Sequence, residues 1–130
     1  MTIELTYLSA TLALALVQIF LPAGARTSEF GLKWNAGPRD STPSSGKPLT
    51  GRLERAQSNL FETLPLFIGA VLIAHVAGAN GAMTVWGSAL YFWGRVVFVP
   101  LYAMGIPFIR SLVWLVSLAG LVMVLVAPFI

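Results

Sequence analysis

The sequence predicts an all-α fold, an integral membrane four-helix bundle of up-down topology. Three observations predict it. Hydrophobic residues make up 57% of the 130 positions and charged residues only 10%, where soluble domains carry roughly 25% charge. Mean hydropathy is +0.81. Four stretches bounded by turn residues are each apolar over the roughly 20 residues that cross the hydrocarbon core. A water-soluble domain of this size could not bury so much apolar surface, and a disordered chain would not carry it.

The first span is read as about 3–23, inside the uncharged run Leu5 to Ala25. That run ends in Ala23-Gly24-Ala25, which has the small-residue pattern of a signal-peptidase site. A basic n-region is missing and Glu4 stands in its place, so the segment is expected to remain as a helix. Residues 24–50 follow as a polar, solvent-exposed loop, rich in Gly, Ser and Thr, with mixed charge and Pro38, Pro43 and Pro48. The second span, about 51–78, stops where Ala77-Gly78-Ala79-Asn80-Gly81 supplies turn residues. The third, about 81–104, stops at Gly105-Ile106-Pro107, and the fourth occupies about 108–129. The short second and third loops make neighbouring helices antiparallel. Residues 1–130 read as a single domain without internal repeats.

Charge predicts the orientation. Arg26, Lys33, Arg39, Lys47, Arg52 and Arg55 lie in or beside the first loop, and Arg110 beside the third. The N-terminus carries Glu4, and the second loop carries no charge. Basic residues stay in the cytoplasm, so the first loop is expected there and both termini outside. The short termini suggest a bacterial inner membrane. The net charge of +3 is too dispersed for a nucleic-acid surface. With no cysteine, one histidine and five acidic residues, no metal site and no cysteine nucleophile are expected.

Two polar stripes occupy membrane helices. Arg52, Arg55, Asn59 and Glu62 recur at spacings of three, four and three on the second helix, which places them on one face. Ser88, Tyr91, Arg95, Phe98 and Tyr102 do the same on the third. At about 1.5 Å per residue, Glu62 and Arg95 lie roughly 24 and 21 Å from the outer helix ends. An isolated charge at such depth costs about 2.5–3.5 kcal/mol on the insertion scale, and a Glu62–Arg95 pair would remove much of that. Polar residues can simply hold membrane helices together. Three arginines, an amide, a carboxylate and a tyrosine converging on the cytoplasmic half suit better an anionic, hydrogen-bonding ligand that enters from water. Stripes this long also favour association of several copies.

The remaining features have plainer readings. His75 is expected at the interface, and Trp86, Trp93 and Trp114 against lipid or neighbouring helices. Gly87 and Gly94, seven apart, allow close helix approach. Pro65 and Pro100 are expected inside helices, as kinks.

The run Arg55-Ala56-Gln57-Ser58-Asn59-Leu60-Phe61-Glu62-Thr63-Leu64-Pro65-Leu66-Phe67 resembles the signature of the MAPEG family, the membrane-associated proteins of eicosanoid and glutathione metabolism. Gly94-Arg95, Tyr102 and Pro107-Phe108-Ile109-Arg110-Ser111 look like third- and fourth-helix elements of its prostaglandin E synthase branch. The resemblance implies a homotrimer with glutathione as cosubstrate, bound between protomers on the cytoplasmic side. It assigns glutathione contacts to Arg55, Gln57, Asn59, Glu62 and Tyr102, with Arg26 contributing from a neighbouring subunit, and Arg95 completes the polar set. It assigns thiol activation to Arg110, with Ser111 beside it. The expected chemistry is attack of the thiolate on an apolar electrophile dissolved in the membrane. Phe98 departs from the pattern, because a polar aromatic residue or histidine is common there.

The leading function is therefore a membrane-bound glutathione transferase or peroxidase of general detoxifying type. The alternatives are a non-catalytic member that binds a lipid-like ligand and a structural subunit of a membrane complex.

Overall fold

A computed structural model describes residues 1–38 and 48–130. Arg39, Pro43 and Lys47, named above for charge and loop character, lie outside the described residues. The elements are α1 (Ile3–Phe30), the short α2 (Leu32–Ala36), α3 (Pro48–Val76), α4 (Ala82–Ala103) and α5 (Pro107–Val126), closed by a 3-10 turn at Ala127–Phe129. The four long helices are each long and apolar enough to cross a membrane. No strand occurs among the described residues.

α1 begins where the Thr2 hydroxyl accepts the Leu5 N–H at 3.1 Å, satisfying one of the free donors of the first turn. It runs seven residues past the expected boundary, to Phe30, and ends at Gly31, whose N–H donates to Thr27 O at 2.9 Å. Residues 24–30 are thus helix rather than loop, and α2 adds a further helical turn to the predicted loop. Hydropathy measures where the bilayer stops, not where the hydrogen bonds stop. Residues 26–29 are polar but contain no helix breaker, and α3 supplies partners for Arg26 and Glu29. Arg26 Nη1 meets Glu54 Oε1 at 3.0 Å, and Thr50 Oγ1 donates to Glu29 Oε2 at 2.6 Å.

The two breaks predicted in the second half are present. α3 and α4 both end in glycines with positive φ, Gly78 at 69° and Gly105 at 73°. After α4, Gly105 N donates to Tyr102 O at 3.0 Å and Ile106 N to Leu101 O at 3.1 Å, a closure that needs the left-handed conformation glycine adopts without penalty. Pro107 then starts α5, where its missing N–H is not required.

The core lies along the bundle axis and is built from Leu60, Phe67 and Val71 of α3, Tyr91 of α4, and Leu121 and Val124 of α5. Phe67 stacks on Tyr91 with ring centroids 4.0 Å apart. Thr63 Oγ1 and Tyr91 Oη share a 2.8 Å hydrogen bond beside them. α4 and α5 approach most closely. A Cβ at Gly87 would lie 2.7 Å from Gly120 O, and one at Gly94 would lie 2.9 Å from Ser117 Cβ. The predicted role of Gly87 and Gly94 is therefore observed, with the partners on α5 now identified. Pro22, Pro65 and Pro100 all lie inside helices.

Trp86 and Trp93 are exposed, as lipid-facing residues should be, and His75 is exposed near the end of α3. The same end of the bundle holds a contact between distant parts of the chain. The buried Glu4 accepts a 3.0 Å hydrogen bond from Thr84 Oγ1 and ties the start of α1 to the start of α4.

Candidate functional site

The polar stripe of α4 turns inward. Ser88, Tyr91, Arg95 and Phe98 are all buried, and Tyr102 is half-buried at the end near the first loop. The stripe of α3 does not form a second buried face. Ala56, Leu60, Leu64, Phe67, Val71 and Ala74 make a longer apolar seam that takes the core, which rotates Arg55 and Glu62 to the surface of the chain. Asn59 lies between the two faces and reaches α4.

This rotation corrects the expected ion pair. Among the described residues the one ion pair within 4.0 Å is Arg26–Glu54, so Glu62 and Arg95 do not pair directly. Arg95, 1% exposed, instead donates from Nη1 to Asn59 Oδ1 at 2.8 Å. Its guanidinium carbon lies 4.5 Å from the centre of the Phe98 ring. A cation on an aromatic face is worth up to about 2 kcal/mol when desolvated. Nε and Nη2 of Arg95 remain without a hydrogen-bond partner among the described residues. Phe98 thus has a definite place in the site: it carries the arginine rather than donating to a ligand.

Asn59, Phe98, Tyr102, Arg110, Ser111, Trp114 and Leu115 line a cavity of about 440 Å³. That is within the range of small-molecule sites. The lining is mixed: Asn59, Tyr102, Arg110 and Ser111 are polar, and Phe98, Trp114 and Leu115 are apolar. Arg110 Cζ stands 4.5 Å from the centre of the Tyr102 ring, and Arg55 Cζ stands 5.9 Å from the same centre. The Phe98 and Tyr102 rings are 5.4 Å apart. A continuous train of aromatic rings and cations therefore runs from Arg95 in the bundle interior to Arg55 and Arg110 at its end. The Ser111 hydroxyl donates to Pro107 O at 3.3 Å, inside its own helix.

Of the residues singled out in the sequence, Asn59, Tyr102, Arg110 and Ser111 meet in the cavity. Arg95 supports it through Asn59, and Arg55 flanks it through Tyr102. Gln57 and Glu62 lie on α3 outside the lining. Arg26 is held by Glu54 of the same chain rather than projecting freely.

Trp114 and Leu115 were not anticipated as site residues. Trp114 was expected against lipid or a neighbouring helix, but it forms part of the cavity wall. A readable signal existed, since Trp114 and Leu115 follow Arg110 and Ser111 by one helical turn and must share their face. A second cavity, about 400 Å³ and wholly apolar, lies on the lipid side of α4 and α5, between Trp86, Trp93, Val97 and Leu112. No cluster of three metal-ligating side chains exists among the described residues.

Comparison with known proteins gives one match. The model of the MAPEG family matches residues 7–130, nearly the whole chain. No curated protein matches, and no solved structure matches. Four helices able to span a bilayer, together with that match, make the chain an integral membrane protein, and it belongs to the MAPEG family.

Proposed function

We propose that the chain is a membrane-bound, glutathione-dependent transferase or peroxidase that activates the glutathione thiol for attack on apolar electrophiles. The observation that carries this reading is the placing of Arg110 and Arg55 about the Tyr102 ring, at the edge of a cavity lined by both polar and apolar side chains. Glutathione brings two carboxylates and a thiol, and arginines recognise carboxylates with paired hydrogen bonds. Asn59 and Tyr102 add neutral hydrogen-bonding groups, with Gln57 and Glu62 next along α3.

A free thiol titrates near 8.5, so little thiolate exists at neutral pH. Arg110 carries a permanent positive charge and stabilises the thiolate wherever sulfur sits near it. The thiol proton leaves to water. The sulfur lone pair then forms a carbon–sulfur bond to the electrophile, whose leaving group or π electrons take the displaced pair. With a hydroperoxide, two glutathiones are oxidised to one disulfide while the peroxide is reduced to an alcohol and water. Phe98, Trp114 and Leu115 accept the apolar reactant, and Ser111 stands beside Arg110 as a polar group for the reacting atoms.

The working unit in this reading is a homotrimer in a bacterial inner membrane. The first loop and the cavity face the cytoplasm, and both termini face outward. Glu62 is exposed in the single chain about 21 Å from the end of α3, a depth at which a carboxylate facing lipid is unfavourable. A neighbouring copy and a bound tripeptide would remove that exposure. Membrane lipid supplies the apolar reactant, and nucleic acid has no part.

A second reading is a non-catalytic member that holds a lipid-like ligand. Phe98 favours it, because it offers a ligand no hydrogen bond. Calorimetric titration of glutathione into the purified protein separates the two. Saturable binding that weakens at least tenfold in Arg55→Ala supports the first reading. Absence of binding, with copurified lipid in the protein, supports the second.

A further inference from the structure

The turn between α4 and α5 carries Tyr102 three residues before Gly105 and Arg110 five residues after it, so its geometry governs how these two side chains meet. That turn is gripped from outside. Arg52 of α3 donates from Nη1 to Ala103 O at 3.4 Å, one of the carbonyls left free at the end of α4. Its guanidinium lies close against Gly105, with Cζ 2.9 Å and Nη2 3.0 Å from where a Cβ would stand. A side chain at 105 would push the guanidinium from that place, and the φ of 73° at the turn is one that L side chains rarely adopt. A cation at a helix C-terminus is also favoured by the helix dipole.

We propose that Arg52 is a positioning residue, whose grip on the α4–α5 turn sets the stacking of Arg110 on Tyr102. It is not among the residues that line the 440 Å³ cavity, and it takes no part in the chemistry suggested above. Arg55 stands one turn further along α3 and approaches the same Tyr102 ring. Two arginines of one helix face therefore hold the turn and the ring that follows from it. The inference rests on the proposed function for its catalytic consequence, but its structural half stands apart from that.

The test compares the full-length protein in detergent with Arg52→Gln and Arg52→Lys. Two quantities are read: amide hydrogen exchange along the chain, and the pH midpoint of glutathione thiolate absorbance. Arg52→Gln is expected to speed exchange about tenfold in residues 101–110 only, and to raise the thiolate midpoint by about one unit, a tenfold loss of thiolate at neutral pH. Arg52→Lys is expected to recover part of both, since an ammonium still reaches a carbonyl but lacks the planar guanidinium. Wild-type exchange in 101–110 of Arg52→Gln would overturn the proposal. So would an equal rise across residues 84–92, which would mean general loss of stability. No thiolate signal in the wild type would refute the proposed function, and the exchange profile would still decide whether Arg52 holds the turn.

Discussion

The guanidinium of Arg110 stacks on the ring of Tyr102, 4.5 Å from its centre, although the two belong to different helices. The contact joins the start of α5 to the end of α4 at the edge of the cavity. It fixes a permanent charge above a hydrogen-bonding hydroxyl, and the nearby Arg55 adds a second charge on the same ring.

The ring and the hydroxyl of Tyr102 should be separable. Tyr102→Phe keeps the stacking surface, and glutathione affinity should fall by less than about tenfold, the worth of one hydrogen bond. Tyr102→Leu removes the ring as well and should lower affinity by a further factor of about five to thirty, as expected for lost cation–π contacts. Titration calorimetry on both variants provides the comparison.

Among the described residues, Asn59 is the one side chain that accepts a hydrogen bond from Arg95. Asn59→Leu should leave another buried guanidinium N–H unpaired and destabilise the protein by about 1–3 kcal/mol. The double change Asn59→Leu with Arg95→Leu should recover most of that loss, because neither partner is then left alone. Denaturant unfolding of the detergent-solubilised protein would show it, and equal destabilisation of the double variant would contradict it.

The closest helix pair depends on two glycines facing each other. A Cβ at Gly120 would collide with the carbonyl oxygen of Gly87 and lie 2.8 Å from Tyr91 N, backbone atoms that cannot swing away. Gly120→Ala should cost about 1–3 kcal/mol. Gly24→Ala meets nothing within 4 Å and should be neutral or slightly stabilising. Thermal unfolding of the two variants side by side tests the contrast.

Much of this arrangement was legible in the sequence. Uncharged runs of bilayer length placed four spans, and Gly78 and Gly105-Ile106-Pro107 marked the ends of α3 and α4. The first helix was cut short because the residues from Arg26 to Glu29 are polar, while the partners that keep them helical come from Glu54 and Thr50, more than twenty positions away. Tyr102 and Arg110 stand out in the sequence by spacing and charge, Ser111 enters only through the family resemblance, and all three line the cavity. Trp114 was missed because an apolar residue gives the same sequence signal towards lipid as towards a cavity. The Glu62–Arg95 pairing failed for a different reason. Depth along a helix can be counted from sequence, but rotation about its axis is decided by whichever seam packs better, and the seam through Leu60 and Phe67 prevailed. The Glu4–Thr84 contact and the grip of Arg52 on Ala103 O have no signature in the sequence, since each joins residues of different helices.

The proposed function stands on activation of a glutathione thiol by Arg110. Ultraviolet absorbance of the thiolate, followed during glutathione titration of the purified protein with Arg110→Ala beside the wild type, is the decisive measurement. A saturable thiolate signal at neutral pH is expected in the wild type, with a loss of at least tenfold in Arg110→Ala. Equal signals in both, or none in the wild type, would contradict it.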